Sequence, residues 1–336
     1  MRPGSIDRRA FLQQAVVALT TAAPGGMLSG QAMAAARQLR AGDIRDVDYP
    51  TVQALSFIDR TMRRATGSST RVRIFANAQL GDEREVLEQL RLGIVDMARV
   101  HVAPLSNLLP ELGALMTPFI FKSDTHLQNV IDGSLGRDML EALRPAGFVG
   151  LTFLDAGPRY IYNRIRPVHT AADLAGLRLN CEQSSLSWDI LTALSALPMQ
   201  LPVSHILPAL NTGLADGALD NIASYVSLGH HAAAKHITFI DLDRSPDVIL
   251  ISLKAWDNLD DADRKTLFSA AQEARYFMRP IFDRWVRLST GQGEEQGVNI
   301  VRQPNEGSFH SAFAPLIGKL ESGPARRWIR DIRALQ

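Results

Sequence analysis

Apolar and polar residues along this chain switch between helical and strand spacing, and one phrase in the pattern occurs twice. The stretch "LRLGIVDMARV" occupies residues 90–100 and "LNTGLADGALD" occupies residues 210–220. Both begin with the same pattern, Leu-x-x-Gly-x-x-Asp. Before the first copy, apolar residues at helical spacing run from Val86 to Leu90, and Gly93 follows where a helix would end. The next residues, "IVDMARVHV", are rich in β-branched side chains and alternate in part, which predicts a strand in a sheet with one face covered by helices.

The second copy predicts the same order of helix, glycine and strand. Apolar residues in "SHILPALNTG" keep helical spacing up to Gly213, and Pro208 is compatible with a first helical turn. Asp220 and Asn221 then stand at the carboxyl end of the predicted strand, where open α/β sheets bind ligands. Because helix, glycine and strand follow one another in many α/β proteins, the pattern alone indicates a fold class. We expect both copies to lead into strands that face a cleft.

Further segments alternate in the same way and predict an α/β fold of two lobes. "TRVRIFANAQLG" indicates a strand that enters a turn at Gly81, and "GFVGLTFLDAG" indicates a buried strand before a loop. From Asp260 to Leu288, apolar residues at helical spacing predict one long amphipathic helix. Asp260 with Asp263 is the expected N-terminal cap, and Pro280 is expected to kink the helix. A helix of this length can brace both lobes.

Residues 1–36 have the features of an export signal. "DRRAFLQQ" places Arg8 and Arg9 before an apolar stretch, residues 10–36 contain no charged side chain, and "AMAAA" offers small-residue cleavage sites. This pattern predicts a twin-arginine signal and a mature protein in the periplasm. An uncleaved membrane anchor is the alternative. The helix-breaking "PGG" disfavours it, because no apolar run approaches the roughly 18 residues of a spanning helix.

Composition excludes several classes of partner and site. The chain has 36 Lys and Arg against 35 Asp and Glu, and loss of residues 1–36 changes its formal net charge from +1 to −1, which argues against a nucleic-acid partner. Cys181 is the only cysteine, which excludes an intramolecular disulfide and metal binding by several cysteines. His230, His231 and His236 lack the i, i+4 spacing that places two metal ligands on one helix face. We therefore expect no metal and no cofactor.

Five stretches together resemble the solute-binding proteins of tripartite ATP-independent periplasmic (TRAP) transporters. They are "QLGDEREVLEQLRLGIVDMARV", "LPELGALMTPFIF", "GPRYIYNRIRPVHTAADLAGLRL", "PALNTGLADGALDN" and "WDNLDDADRKTLFSAAQEA". The resemblance covers about residues 40–300 and implies a two-lobe periplasmic-binding-protein-like fold, with a ligand cleft between the lobes and a long kinked bridging helix. It also implies a monomeric receptor that closes over a small molecule and delivers it to a membrane permease. On this basis lobe I comprises 37–156 plus 246–285, and lobe II comprises 157–245 plus 286–336.

The resemblance also implies where the ligand binds, and one position departs from the family. Ligands in that family are usually carboxylates, held by an arginine in the strand after a "DLxGL" turn, and this chain has Asn180 there. An asparagine cannot offer the charged, bidentate fork of an arginine. Either the ligand differs, or another cation has taken over. Arg159 matches a family arginine that often reaches the ligand, so it is the first choice, Arg45 is a further candidate, and Arg178 is expected to face solvent.

A second set of residues is similar to a branch of the family whose members bind sugar acids. Arg99 matches an arginine of that branch, whereas His101 and Leu219 depart from its usual polar residues. Arg99 is equally compatible with an internal ion pair to Asp96 or Glu83, because a buried arginine needs a partner. Glu83 is either a ligand contact or a charge that stabilises the first turn of its helix.

Aromatic residues complete the candidate site. Tyr225, Trp188 and Tyr49 are candidates for stacking on a sugar face, with core packing as the default alternative for each. The resulting set of ligand-binding candidates is Arg159, Asn180, Arg99, Asp220, Asn221, Glu83, Arg45, His101 and Tyr225.

An exported enzyme is the main alternative to a receptor. The chain has no Gly-x-Gly-x-x-Gly, Gly-x-Ser-x-Gly, His-Glu-x-x-His or paired-cysteine motif, and Cys181 is expected to pack as a small hydrophobe. No residue is therefore assigned a catalytic role. A receptor that reports to a sensor protein would use the same cleft. We expect a small organic acid, such as a sugar acid, as the ligand, and a neutral or zwitterionic molecule is the alternative.

Overall fold

The computed structural model describes residues 37–65 and 68–335. The predicted export signal at 1–36 lies outside the described residues. Within the described part of the chain, no helix is both long enough and apolar enough to span a bilayer.

Strands and helices alternate along the chain. The strands are β1 Gln38–Gly42, β2 Arg71–Phe75, β3 Met97–His101, β4 Phe148–Leu154, β5 Arg159–Asn163, β6 Arg178–Asn180, β7 Leu197–Met199, β8 Gly217–Asn221, β9 His236–Asp243, β10 Asp247–Ser252 and β11 Asn299–Val301. The α-helices are α1 Pro50–Arg64, α2 Glu83–Leu92, α3 Val102–Ser106, α4 Asp124–Asp132, α5 Ser134–Glu141, α6 Ser185–Ala193, α7 Val203–Thr212, α8 Ile222–Ser227, α9 His230–Ala233, α10 Leu253–Asp257, α11 Asp261–Glu295, α12 Glu306–Ser322 and α13 Arg326–Arg333. Short 3₁₀ helices occupy Pro110–Met116, Arg144–Ala146 and Ala171–Leu174.

The strands form two mixed sheets, which confirms the predicted two-lobe α/β fold class. The first sheet has the order β2-β1-β3-β10-β4, with β1 parallel to β2 and β3, and β10 antiparallel to β3 and β4. The second sheet has the order β11-β9-β5-β8-β6-β7. The chain passes from the first sheet to the second after β4, returns to the first after β9, and enters the second again at β11.

The inner strands of the sheets are buried on both faces, because their successive residues enter different hydrophobic clusters. In β10, Val248 and Leu250 pack into one cluster of the first sheet, whereas Ile249 and Ile251 pack into the other. β3 is buried along its whole length, so the expectation that one of its faces is free of helices was wrong. A strand buried on both faces needs no strict alternation, which is why the partial alternation in the sequence misled.

The repeated phrase builds the same local structure twice. Gly93 and Gly213 end α2 and α7 in the left-handed region, at φ 70° and 73°, where a glycine pays no steric cost. The following strands end in residues that cap the next helix: His101 accepts from the amide of Ala103, and Asn221 accepts from that of Ser224.

The sequence was compatible with Pro208 in the first turn of its helix, but Pro208 does not lie there. It lies inside α7, because that helix begins at Val203. The proline cannot donate to the carbonyl of Ser204, but Ser204 is exposed, so water can satisfy that carbonyl.

The long helix is present as predicted. Asp260 caps α11 by accepting from the amide of Asp263 at 2.7 Å, and Pro280 lies within the helix without ending it. α11 packs on α1 and on β4, a strand of the first sheet. It also packs on α8, the helix that follows β8 of the second sheet. Leu288 is 60% exposed, so the apolar face ends earlier than the sequence suggested.

Candidate functional site

A cavity of about 830 Å³ is lined by residues from both sheets. It lies where β3, β5, β6 and β8 end or begin, and its volume falls in the range of small-molecule pockets. Eight of the nine predicted ligand-binding residues line it: Arg45, Glu83, Arg99, His101, Arg159, Asn180, Asp220 and Asn221. The ninth, Tyr225, is not among the described residues that line the cavity. Its ring packs against Tyr162, and its hydroxyl donates to the carbonyl of Ala234 at 2.5 Å.

Arg99 is held by internal ion pairs. Its Nε donates to Asp43 Oδ2 at 3.0 Å, its Nη2 donates to Asp43 Oδ1, and its Nη1 donates to Glu83 Oε1 at 2.6 Å. Asp247 lies 3.6 Å from Nη1. Burial acts to lower the pKa of Arg99, but these three carboxylates outweigh it and raise the pKa well above its usual value. Of the two partners suggested by the sequence, Glu83 is correct, whereas Asp96 pairs with an exposed arginine on β1.

Glu83 is not the cap of its helix. Asp82 is the N-cap of α2 and closes a capping box with Glu85. The Glu83 carboxylate instead accepts from Arg99 and from the amide of His101 at 3.2 Å. Burial raises the pKa of Glu83. Glu83 therefore links α2 to the end of β3 at the wall of the cavity.

Arg159 is surrounded by carboxylates. Its Nη2 donates to the carbonyl of Leu219 at 2.9 Å and contacts Glu182. Asp220 and Asp243 each lie 3.7 Å from the guanidinium. A ligand carboxylate that binds this arginine must compete with groups of the protein itself.

Among the described residues, Arg45 forms fewer ion pairs than the other two cavity arginines. Its Nη2 lies 3.4 Å from Asp220 Oδ2, and its guanidinium carbon lies 5.4 Å from the centre of the Tyr49 ring. Its Nη1 is buried, yet it donates no hydrogen bond to any residue in the described part of the chain. A buried cationic donor without a partner is costly, so this nitrogen is suited to an anionic ligand oxygen.

Asn180 supports the loop before α7. Its Oδ1 accepts from the amide of Leu201 at 2.7 Å, and its side chain lines the cavity. The neighbouring Arg178 has a different environment, because it pairs with Asp216 at 2.7 Å and its side chain is 40% exposed. The charge that the family usually places at position 180 is thus not restored by Arg178.

Six carboxylates contact the three cavity arginines. They are Asp43, Glu83, Glu182, Asp220, Asp243 and Asp247. Burial raises the pKa of Asp243, and it raises that of Asp247 to about 6. For Asp220, burial acts in the same direction, but Arg45 and Arg159 outweigh it and lower the pKa.

This balance of groups determines which chemistry the cavity can bind. Guanidinium groups recognise a carboxylate, and carboxylate oxygens accept hydrogen bonds from hydroxyl groups. An excess of carboxylates over arginines therefore suits a molecule with one acid group and several hydroxyls. Among the residues that the structure describes, no three His, Cys, Asp or Glu side chains are arranged to hold a metal ion.

His101 fixes the end of β3 at the cavity. Because His101 Nδ1 accepts from the amide of Ala103, its Nε2 carries the proton and donates to Ser245 Oγ at 3.0 Å. Burial, followed by the charges of Arg159 and Arg99, lowers the pKa of His101 well below its usual value, so the ring is neutral.

A hydrogen bond between Tyr49 and Asn221 holds part of the cavity wall together. The Tyr49 hydroxyl donates to Asn221 Oδ1 at 3.3 Å, and Tyr49 both lines the cavity and packs on Phe282 and Trp285. Trp188 lies on α6 and is 45% exposed.

Several lining residues were missed by the sequence analysis. Glu182 and Gln183 lie two and three residues after the end of β6, so their position after a strand could have indicated them. Gln183 Nε2 donates to Asp82 Oδ2 at 3.0 Å, which joins residues on the two sides of the cavity. Tyr162 and His230 also line the cavity. The sequence analysis had considered His230 only as a metal ligand and had rejected that role.

The chain is similar to known proteins over most of its length. Residues 42–322 match the model of the DctP family, the bacterial extracellular solute-binding proteins of family 7. The 2,3-diketo-L-gulonate-binding periplasmic protein YiaO of Escherichia coli is 25% identical over 280 residues, which are 83% of this chain and 85% of YiaO. A solute-binding protein of Chromohalobacter salexigens is 26% identical over 277 residues, 82% of each chain.

Solved structures of similar proteins contain sugar acids. A TRAP periplasmic solute-binding protein from a Bradyrhizobium species, in complex with D-galacturonate, is 36% identical, with a TM-score of 0.86 over 89% of this chain and 100% of that chain. One from Xanthobacter autotrophicus with bound β-D-galacturonate is 29% identical at the same TM-score and the same coverage. One from Chromohalobacter salexigens with bound D-glucuronate is 26% identical at a TM-score of 0.85, again over 89% of this chain and 100% of the other.

Proposed function

The chain belongs to the bacterial extracellular solute-binding proteins of family 7, and from this membership we propose that it is the receptor of a TRAP transporter for sugar acids of the uronate type. The observation that carries the proposal is the cavity itself, in which a buried, unpartnered arginine nitrogen lies among hydrogen-bond-accepting carboxylates. Relatives with galacturonate and glucuronate in their structures support the same ligand class.

The ligand carboxylate binds between Arg45 and Arg159. Arg45 offers its free Nη1, and Arg159 exchanges part of its contact with Glu182 and Asp220 for the ligand. Both residues are more than nine-tenths buried, so an anion placed there is little screened by solvent. In this arrangement two arginines, one after β1 and one in β5, replace the arginine that the family carries at the position of Asn180.

The hydroxyl groups of the ligand bind to the surrounding carboxylates. Glu83, Glu182, Asp220 and Asp247 line the cavity and have oxygens that accept hydrogen bonds. Each hydroxyl that donates to such an oxygen forms a charge-assisted bond, which is stronger than a bond between neutral groups. A simple carboxylic acid without hydroxyls leaves these oxygens unsatisfied and is therefore discriminated against.

Binding is coupled to closure of two lobes. The proposed lobe I comprises residues 37–156 plus 246–285, and lobe II comprises 157–245 plus 286–336. Each carries one of the two sheets, and the chain crosses between the sheets near residues 155–158 and 244–246 and again along α11, between β10 and β11. Contacts from both lobes to one ligand favour the closed form and present its surface to the permease.

The remaining features of the proposal concern location and assembly. The receptor is exported through a twin-arginine signal at residues 1–36, acts in the periplasm as a monomer and uses neither a metal nor a cofactor. It catalyses no reaction, in keeping with relatives that are named as solute-binding proteins.

Thermal unfolding of the mature protein, residues 37–336, tests the proposed function. D-galacturonate and D-glucuronate are compared with succinate, benzoate and neutral galactose. A ligand at a hundredfold excess over its dissociation constant adds about 2.7 kcal/mol to the free energy of unfolding. We expect a clear rise in Tm with the uronates alone, confirmed by calorimetric titration. A rise with succinate or galactose, and none with either uronate, would overturn the proposal.

A further inference from the structure

His230 and Tyr162 form a buried pair that the proposed ligand contacts do not use. Tyr162 is the fourth of the five residues of β5 and is fully buried, and its hydroxyl lies 2.6 Å from His230 Nδ1. His230 begins α9 directly after Gly229, whose φ of 74° turns the chain, and it is 1% exposed. Both side chains line the cavity.

The pair leaves one nitrogen of His230 for the cavity. In the described part of the chain His230 forms its hydrogen bond through Nδ1, with Tyr162, and no group forms one with Nε2. Leu207, Leu228 and Asp220 also line the cavity, and the charges of Asp220 and Arg45 both act on His230. A Cβ at Gly229 would lie 3.6 Å from Leu207 Cδ2, which places this side of α7 against the start of α9.

From this geometry we propose that His230 is a ligand contact that binds an uncharged hydroxyl of the sugar acid, with Tyr162 as the residue that positions its ring. This inference rests on the proposed function and adds a contact to the same cavity. It assigns a role to a histidine whose sequence spacing excluded metal binding.

The protonation of the pair explains why the bound group is a hydroxyl. Burial lowers the pKa of His230 to about 4 and raises that of Tyr162 well above its usual value, so both side chains are neutral at neutral pH. A tyrosine hydroxyl can donate to Nδ1 or accept from it, which leaves Nε2 as a donor or as an acceptor. A ligand hydroxyl matches either state, whereas a neutral ring offers no charge to a ligand carboxylate, which the arginines bind instead.

Calorimetric titration of His230→Phe with D-galacturonate and D-glucuronate tests the contact. Phenylalanine preserves the ring and removes both nitrogens, so we expect the Kd of the tighter-binding uronate to rise roughly tenfold. His230→Gln retains a polar group near the position of Nε2 and should recover most of the affinity. The matched control is His231→Phe, because His231 is the adjacent buried histidine but binds Gln296 instead of lining the cavity.

Tyr162→Phe separates positioning from packing. If Tyr162 acts through His230, its substitution raises the Kd severalfold in the natural chain and adds nothing in the His230→Phe background. Additive effects would overturn the positioning role. A Kd for His230→Phe within twofold of the natural chain, or an equal rise for His231→Phe, would overturn the contact.

The same titrations distinguish failure of this inference from failure of the proposed function. If the natural chain binds neither uronate, the proposed function fails and the contact fails with it. If the natural chain binds and the His230 variants bind equally well, only the contact is wrong. Thermal unfolding of each variant without ligand shows whether it is folded, and Tyr162→Phe gives an independent result should His230→Phe not fold.

Discussion

Arg45 Nη2 lies 3.4 Å from Asp220 Oδ2, and this pair joins the two sides of the cavity. Arg45 follows β1 in the first sheet, whereas Asp220 lies in β8 of the second. The contact is long for a salt bridge, and the other terminal nitrogen of Arg45 has no partner among the described residues. An anion that enters here can bind Arg45 without removing a strong ion pair.

Arg45→Ala should therefore weaken binding of D-galacturonate or D-glucuronate about a hundredfold. A buried ligand carboxylate would lose a charged, hydrogen-bonding partner. Arg45→Lys should recover part of this loss, because lysine retains the charge but not the two-pronged geometry. Calorimetric Kd values decide, and an unchanged Kd for Arg45→Ala would remove this arginine from the site.

Arg159→Ala should weaken binding strongly and also lower stability. Removal of this arginine leaves Glu182 and Asp243 without their buried cation, and breaking such a pair costs about 3–5 kcal/mol. Arg178→Ala is the matched control, because Arg178 also pairs with an aspartate but lies outside the cavity. Kd and Tm are measured for both variants. Equal Kd values for the two would contradict the assignment of Arg159 to the ligand.

Asn180→Arg tests the departure from the family pattern. The new side chain removes the acceptor for the amide of Leu201 and fills part of a cavity that already contains Arg45 and Arg159. We expect uronate affinity to fall at least tenfold, while a simple carboxylate such as lactate gains affinity from the added charge. Titration with both ligands checks this. Unchanged uronate binding would show that position 180 lies away from the bound ligand.

Asp247→Asn should stabilise the ligand-free protein at pH 7.5. The pKa of Asp247 is raised from its usual 3.8 to about 6, so its charge opposes folding above that pH. As pH falls below 6, the folded state takes up this proton before the unfolded state does, and the cost shrinks until it disappears below about pH 3.8, where both states are protonated. The gain from asparagine should be about 3 kcal/mol at pH 7.5 and about 1 kcal/mol at pH 4.5. Urea unfolding at both pH values measures it, and a gain that is independent of pH would contradict the raised pKa.

Gln183→Ala should weaken the closed form. Gln183 Nε2 donates to Asp82 Oδ2 at 3.0 Å across the cavity, and loss of such a bond costs about 1 kcal/mol. We expect uronate Kd to rise about fivefold, mainly through faster dissociation measured by stopped-flow fluorescence. Asp82→Asn removes the charged acceptor and should produce a smaller change of the same sign. A slower dissociation in either variant would contradict the role of this bond in closure.

The sequence by itself determined the fold class and its local signals. Gly93 and Gly213 end their helices, and Asp260 begins α11, because caps depend on a few neighbouring residues. The same locality explains why the strand ends at His101 and Asn221 could be placed at the cleft. Resemblance to a family then identified eight of the residues that line the cavity.

Only the tertiary structure decided how those residues pair. Arg99 binds Asp43, which lies 56 residues away in the chain, and Arg45 reaches Asp220, 175 residues away, and neither spacing has a periodic signal. Pairing at such distances depends on how two sheets pack, not on local propensity. The same reason explains Tyr225, whose residue type fits a sugar site but whose position on α8 directs it into the core.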